Sequence, residues 1–222
     1  KRKGVGVAFY GRVAEITLLY SIFVLSVYPL TGLTGLISLG QGALVLIGAY
    51  TAALLHLNLG VAPAIAIALS IPAGVIAGLI IGLPTLRLRG DYFLLITFGF
   101  SEMMRGLLLL TAQLTGGAMG VAGLPKAARL PLIAISVVVI LFILGNLKRS
   151  RFGRTCVSIR EDELAASALG THVYAHKIKV FLISSAISAY GGAIYAFNVM
   201  FIEPNLFNWL ESAKLAIIVF VG

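Results

Sequence analysis

The sequence predicts an all-α fold: a polytopic helical membrane protein of about six spans, with one glycine-broken segment and a cytoplasmic coupling helix between two spans. Three observations carry this. First, of 222 residues 59% are hydrophobic and 11% charged, and the mean hydropathy is +1.03, which excludes an ordinary soluble domain. Second, several apolar runs approach the ~20 residues a helix needs to cross the hydrocarbon core and lack the two-residue period of barrel strands. Third, residues 148–179 form one long polar excursion between apolar runs. The net charge of +9 does not indicate nucleic acid, because the basic residues flank apolar spans, where the positive-inside bias accounts for them. The chain reads as a single membrane domain over 1–222, with 148–179 as a loop within it.

The first apolar run, residues 16–30, follows Arg12 and Glu15 and reaches spanning length only with help from Val13 and Ala14. Lys1, Arg2 and Lys3 lead into a glycine-broken stretch with no small-residue cleavage site, so no signal peptide is expected. Residues 31–57 carry Gly32, Gly35, Gly40, Gly42 and Gly48 together with Ser38 and Gln41. Either the helix is broken there and faces the interior of the assembly, or the small residues permit close packing. Residues 62–83 span next, and Gly74, Gly78 and Gly82, four apart on one face, let another helix approach. A turn over 84–91 holds Arg87, Arg89 and Asp91, and residues 92–114 span again from the interfacial aromatics Tyr92 and Phe93. After a loop over 115–129, residues 130–147 and 180–200 span on either side of the polar excursion. Residues 201–212 are a second polar connection, with Glu203 and Glu211, and 213–222 are apolar but too short to span.

Charge sets the orientation. With 148–179 in the cytoplasm, Lys148, Arg149, Arg151, Arg154, Arg160, Lys177 and Lys179 lie inside, joined by Arg87 and Arg89. The same alternation puts Lys1, Arg2 and Lys3 outside, against the rule. Either one more helix precedes Lys1, or the glycine-rich segment re-enters without crossing. The short apolar end favours the first, a chain cut at both ends.

Within the loop, residues 158–170 have the marks of one short helix. Ser158 and Glu161 fit a capping box, Glu161, Asp162 and Glu163 suit the positive end of the helix dipole, and Gly170 supplies a left-handed stop. Leu164, Ala165, Ala168 and Leu169 make a small apolar face, suited to a groove on a partner or, alternatively, to the membrane surface. Glu102 and Arg105 are ionisable residues well inside a span, three apart on one face. They form either a structural bridge or, if Glu102 exchanges a proton, the heart of an ion-coupled carrier. Thr115, Gly116 and Gly117 make a polar turn on the outer side, where a solute could first meet the chain. Ser38, Gln41 and Thr97 complete the candidates for a solute path. Cys156 has no second cysteine to pair with, and His56, His172 and His176 have no company that would hold a metal. No phosphate-cradling G-x-x-x-x-G-K-[ST] occurs, so the chain is expected to bind no ATP and to be no enzyme.

The series SLGQGALVLIGAYTAALL, LRLRGDYFLLITFGFSEMMR, LTGGAMG and FGRTCVSIREDELAASALG resembles the permease subunits of bacterial ABC importers for branched-chain amino acids, in order and over most of the chain. The resemblance implies that the segment after GRxxxxIRE is the coupling helix that docks on an ATP-hydrolysing subunit, with Ala165, Ala166 and Gly170 matching the importer signature. Leu164 stands where the general signature has glutamate, and Glu163 precedes it by one place. Gln41 replaces a histidine usual after SLG.

Partners implied are ABC ATPase subunits holding ATP and Mg, a second permease subunit as a homo- or heterodimer, a periplasmic or extracellular solute-binding protein, and membrane lipid; nucleic acid is not among them. A bacterial or archaeal cytoplasmic membrane is the implied location, and an extra helix before Ile16 and more after Gly222 are expected. Urea or short-amide permeases are similar alternatives. A secondary carrier using Glu102 and a purely structural membrane subunit remain the readings from other classes.

Overall fold

The structure, a computed structural model, describes residues 2–88 and 90–221, with side chains from Phe9 onward. The expectations for Lys1, Arg89 and Gly222, and for the side chains of Arg2 and Lys3, lie outside the described residues. Six helical stretches among the described residues are long and apolar enough to cross a membrane.

Helix α1 (Arg2–Tyr28) continues into a π-helical turn, Pro29–Leu33. It starts well before the expected Ile16, because Arg12 and Glu15 pair with each other and with partners elsewhere instead of marking a boundary. The chain then leaves helical geometry over 35–40 and resumes as α2 (Gln41–Leu59). Both readings of the glycine-rich stretch hold, at different glycines. Gly35, at φ +70°, is at the break, whereas Gly42 and Gly48 lie inside α2 where other backbone comes close.

Next come α3 (Pro63–Thr85) and α4 (Gly90–Leu110), with the short α5 (Ala112–Thr115) ending the fourth span earlier than sequence alone suggests. The outer loop contains a two-residue strand, β1 (Val121–Ala122), paired antiparallel with β2 (Phe201–Ile202), a ribbon the sequence did not foretell. Helix α6 (Leu130–Arg149) leads to α7 (Arg151–Glu161), α8 (Glu163–Ala168) and α9 (Val173–Val199). A 3₁₀ turn, Pro204–Phe207, precedes α10 (Trp209–Val221).

Helix α9 is the element around which α1, α2 and α3 pack. The glycine face of α3 meets it in antiparallel register. A Cβ on Gly74 would lie 2.3 Å from Ala189 Cβ, one on Gly78 2.4 Å from Ser185 Oγ, and one on Gly82 2.8 Å from Phe181 Cδ1. Each four-residue step up α3 is matched by a four-residue step down α9, so the close-packing expectation for this stripe is met. On its other side α9 receives α2, where a Cβ on Gly48 would stand 2.1 Å from the Ala189 carbonyl oxygen and one on Gly192 2.0 Å from that of Val45.

The bundle has a loop end and a far end. Arg160 of α7 reaches Gly32, which puts the π-turn at the loop end, while His56 near the end of α2 stacks edge-on against Phe197 at the far end. Residues 34–59 therefore cross the bundle, and re-entry without crossing is excluded for them.

Candidate functional site

The start of α2 lies deep inside the bundle, level with the middle of α9. Gln41 is fully buried there; its Nε2 donates to Ser184 Oγ at 2.9 Å, and its Oε1 accepts from Ser188 Oγ at 2.7 Å. Ser184 Oγ donates in turn to the Ser26 carbonyl at 2.5 Å, and Ser26 Oγ to that of Phe23 at 2.7 Å. One amide and three hydroxyls thus join α1, α2 and α9 with their hydrogen-bonding capacity turned inward, as burial demands. The signal in the sequence was the pair Ser184 and Ser188, four apart in an apolar span, and it was passed over.

Beside this network the second interruption arrives. The chain returns from the far end through 203–208, and Ser212 in the first turn of α10 accepts from Gly42 N at 2.8 Å. Asn208 Oδ1 caps α10 by accepting from Glu211 N at 3.1 Å. Thr97 of α4 accepts from Leu39 N at 3.1 Å, and Ser38 Oγ accepts from Gly40 N at 3.2 Å. Two helix starts and the wall of α4 therefore converge at membrane depth, which non-helical backbone tolerates only against protein or a wet cavity. Ser38, Gln41 and Thr97 are brought together here, each with its polar atoms engaged within the chain.

One turn beyond Thr97, the buried Ser101 hydroxyl has no hydrogen-bond partner among the described residues. Glu102 accepts from Arg105 Nε at 2.9 Å and Nη2 at 2.7 Å, and Arg105 Nη1 reaches Asn205 Oδ1 at 3.1 Å. Both ions are partly exposed. Thr115, Gly116 and Gly117 lie apart, at the far end of α4, where Thr115 Oγ1 donates to Leu108 and Thr111 carbonyls and both glycines take positive φ. At the same end Glu15, largely buried, accepts from Arg12 at 2.9 Å, Lys126 at 3.1 Å and Asn198 at 3.3 Å, a cluster sequence reasoning missed because its members are far apart in the chain.

At the loop end the expected single helix over 158–170 is two helices. Ser158 lies in the last turn of α7 with its hydroxyl on Thr155 O, and Glu161 ends α7 paired with Arg160, so neither forms a capping box. The cap is Asp162, whose Oδ1 accepts from Leu164 N at 2.8 Å and Ala165 N at 3.0 Å. An aspartate with extended backbone competes well for this position, and the run Glu161, Asp162, Glu163 hid which acid it was. Gly170 takes φ +83°, the left-handed stop expected of it. Ala166 faces inward, and Leu164 and Leu169 stand 78% and 87% exposed. Glu163 accepts from Lys177 Nζ at 2.6 Å. That pair lets α9 begin at Val173, seven residues before the expected start, with Lys177 inside the protein. Cys156 is buried in α7, and burial pushes its thiol up to about 11.

Six apolar helices, two interruptions meeting at mid-depth and a folded polar loop at one end define a polytopic helical membrane protein. The chain belongs to the family described as branched-chain amino acid transport system / permease component, whose model matches residues 10–222. It is similar to the high-affinity branched-chain amino acid transport system permease protein LivM of Salmonella typhimurium, at 33% identity over 95% of this chain and 57% of the relative. LivM of Escherichia coli K12 is 35% identical over the same shares. A probable branched-chain amino acid transport permease protein LivM of Methanocaldococcus jannaschii is 27% identical over 66% of the chain and 46% of the relative. The chain thus spans about half the length of the curated relatives it matches. No solved structure matches it.

Proposed function

We propose that the chain is the membrane-embedded part of an ATP-driven importer for branched-chain or other amino acids, working by alternating access in a cytoplasmic membrane. Asp162, Glu163, Leu164, Ala165, Ala166, Leu169 and Gly170 form the contact with a separate ATPase subunit, which holds ATP and Mg. Ser158 and Glu161 brace that contact from α7. A second permease subunit and a solute-binding protein on the far side complete the system. The single observation that carries this reading is α8: a short capped helix, fixed to α9 through Glu163, that offers Leu164 and Leu169 to the surroundings. Exposed apolar side chains on a rigid support are the anchors a partner groove takes.

The test is co-purification of the full-length permease with the ATPase encoded beside it. Leu164→Asp with Leu169→Asp should lower the recovered ATPase about ten-fold or more, the loss of two buried anchors being worth ~1.4 kcal/mol or more. The permease itself should stay folded, because neither side chain is buried within it. Undiminished recovery would remove the docking role.

The solute path in this reading runs along α4, past Thr97, the unpaired Ser101 hydroxyl and Glu102, toward Thr115, Gly116 and Gly117. Support comes from the partly exposed Glu102–Arg105 pair, since exposed ions inside a span are too costly to face hydrocarbon. If Glu102 instead exchanges protons as an ion-coupled carrier would, Glu102→Gln abolishes uptake with the ATPase still bound, and proton counterflow disappears with it. In the importer reading Glu102→Gln reduces uptake about ten-fold at most through loss of the Arg105 pairing, and uptake stays indifferent to a proton gradient. A urea or short-amide substrate would appear as competition by those solutes for the binding protein.

A further inference from the structure

The loop at the bundle's end touches the membrane-embedded interruption directly. Arg160, near the end of α7, donates from Nη1 to the carbonyl oxygen of Gly32 at 2.9 Å, inside the π-turn that ends α1. The remaining edge of its guanidinium holds Glu161 Oε1, at 3.3 Å from Nε and 2.9 Å from Nη2. Its aliphatic stem lies over Gly35, where a Cβ would come within 2.7 Å of Arg160 Cγ, and where φ of +70° already disfavours any other residue. Cys156 and Phe152 of α7 pack in one apolar cluster with Leu30, Leu33 and Leu36.

From there the chain is tied at both ends of the connector. Leu36 N bonds Leu30 O at 3.2 Å and Thr31 Oγ1 bonds Leu36 O at 3.1 Å, so the start of the connector cannot move without the π-turn. Its end is held by Thr97, and the helix it feeds is held by Ser212. Polar contacts thus tie the loop to the π-turn and the π-turn to Leu36, the backbone leads on to Leu39 and the first turn of α2, and Arg160 is the side chain that joins α7 to the π-turn.

We infer that Arg160 is a positioning residue that carries movement of α7 and α8 into the 35–40 connector and thus to the mid-depth site; as a transport role this rests on the importer reading above. A cation on a flexible stem with a planar fork can hold a backbone carbonyl and a carboxylate together, which a shorter or neutral side chain cannot. The hydrogen bonds of Arg160 go to Gly32 and Glu161, and none reaches Leu164 or Leu169.

The experiment uses the full-length permease with its ATPase and binding protein in proteoliposomes. Arg160→Ala should lower uptake per ATP hydrolysed about five-fold or more, the scale of a typical coupling between sites, with hydrolysis within about two-fold of the unmodified complex. Arg160→Lys, which keeps the bond to Gly32 and loses the fork, should fall between. Uptake and hydrolysis declining in proportion, or an unchanged ratio, overturns the inference. Should Arg160→Ala fail to assemble, Gly35→Ala pushes the same side chain off its seat and must give the same uncoupling.

A second readout does not depend on transport. With Cys156→Ala as background, Ser38→Cys should react with a small maleimide about five-fold or more faster when Arg160→Ala is added. An unchanged rate removes the positioning role whatever the protein carries, whereas an unmodified complex that never hydrolyses ATP defeats only the importer reading.

Discussion

Gly48→Val is expected to remove folded protein from the membrane. A Cβ at this position would lie 2.1 Å from the Ala189 oxygen and 2.3 Å from its Cα, so the obstacle is backbone and no rotamer relieves it. Valine adds two further methyl groups on the same side. Overpacking that only side-chain shifts must absorb costs ~1–3 kcal/mol, and forcing two helices apart along their contact costs more than that, of the order of a small membrane domain's whole margin. The measurement is the yield and thermal midpoint of monodisperse protein in mild detergent. Gly145→Val on α6 is the control: nothing lies within 4 Å of a Cβ there, and valine is no worse a helix former than glycine. Equal midpoints for both variants would mean that α2 and α9 are not packed as described.

Glu163→Ala is the second large effect, and its asymmetry is the informative part. Lys177 keeps only 5% of its side chain exposed, whereas Glu163 keeps 56%. Removing the carboxylate strands a buried ammonium, for which ~3–5 kcal/mol is the usual penalty; removing the lysine merely returns a carboxylate to water. Glu163→Ala should therefore lower the thermal midpoint and loosen the loop, seen as faster proteolysis between α7 and α9. Lys177→Met should leave the midpoint nearly unchanged while loosening the loop as well, and the two changes together should restore most of the midpoint that Glu163→Ala loses. Additive losses in the double variant would rule out the pair as the anchor of α8.

Composition and apolar run length sufficed for the fold class and for the approximate place of every long span, because hydrocarbon leaves the backbone few alternatives to helix. The α3 glycine face was legible for the same reason: four-residue spacing on an apolar helix has few uses besides close approach. Boundaries failed where a charge had a distant partner. Arg12 and Glu15 looked like the edge of a span and are inside a helix, and Lys177 looked like loop and is inside the protein. Glu15 takes a second cation, Lys126 from the outer loop, beside its local partner Arg12, and Lys177 is neutralised by Glu163 of α8. The local cap of α8 was misread by one acid among three adjacent ones. Ser38, Gln41 and Thr97 were grouped from the sequence, but the arrival of Ser212 beside them was not legible, since nothing local says that the chain returns to mid-depth after Glu203.

Ala189 is held from both sides, its carbonyl against Gly48 and its methyl against Gly74. Helices α2, α9 and α3 are thereby laminated into a plate with no clearance, since interior packing leaves no room even for a methylene. Sliding within such a plate meets backbone at Gly48 and Gly192, so α2, α9 and α3 are placed to move as one body. A neighbouring helix that shifts therefore shifts against a wall that does not give.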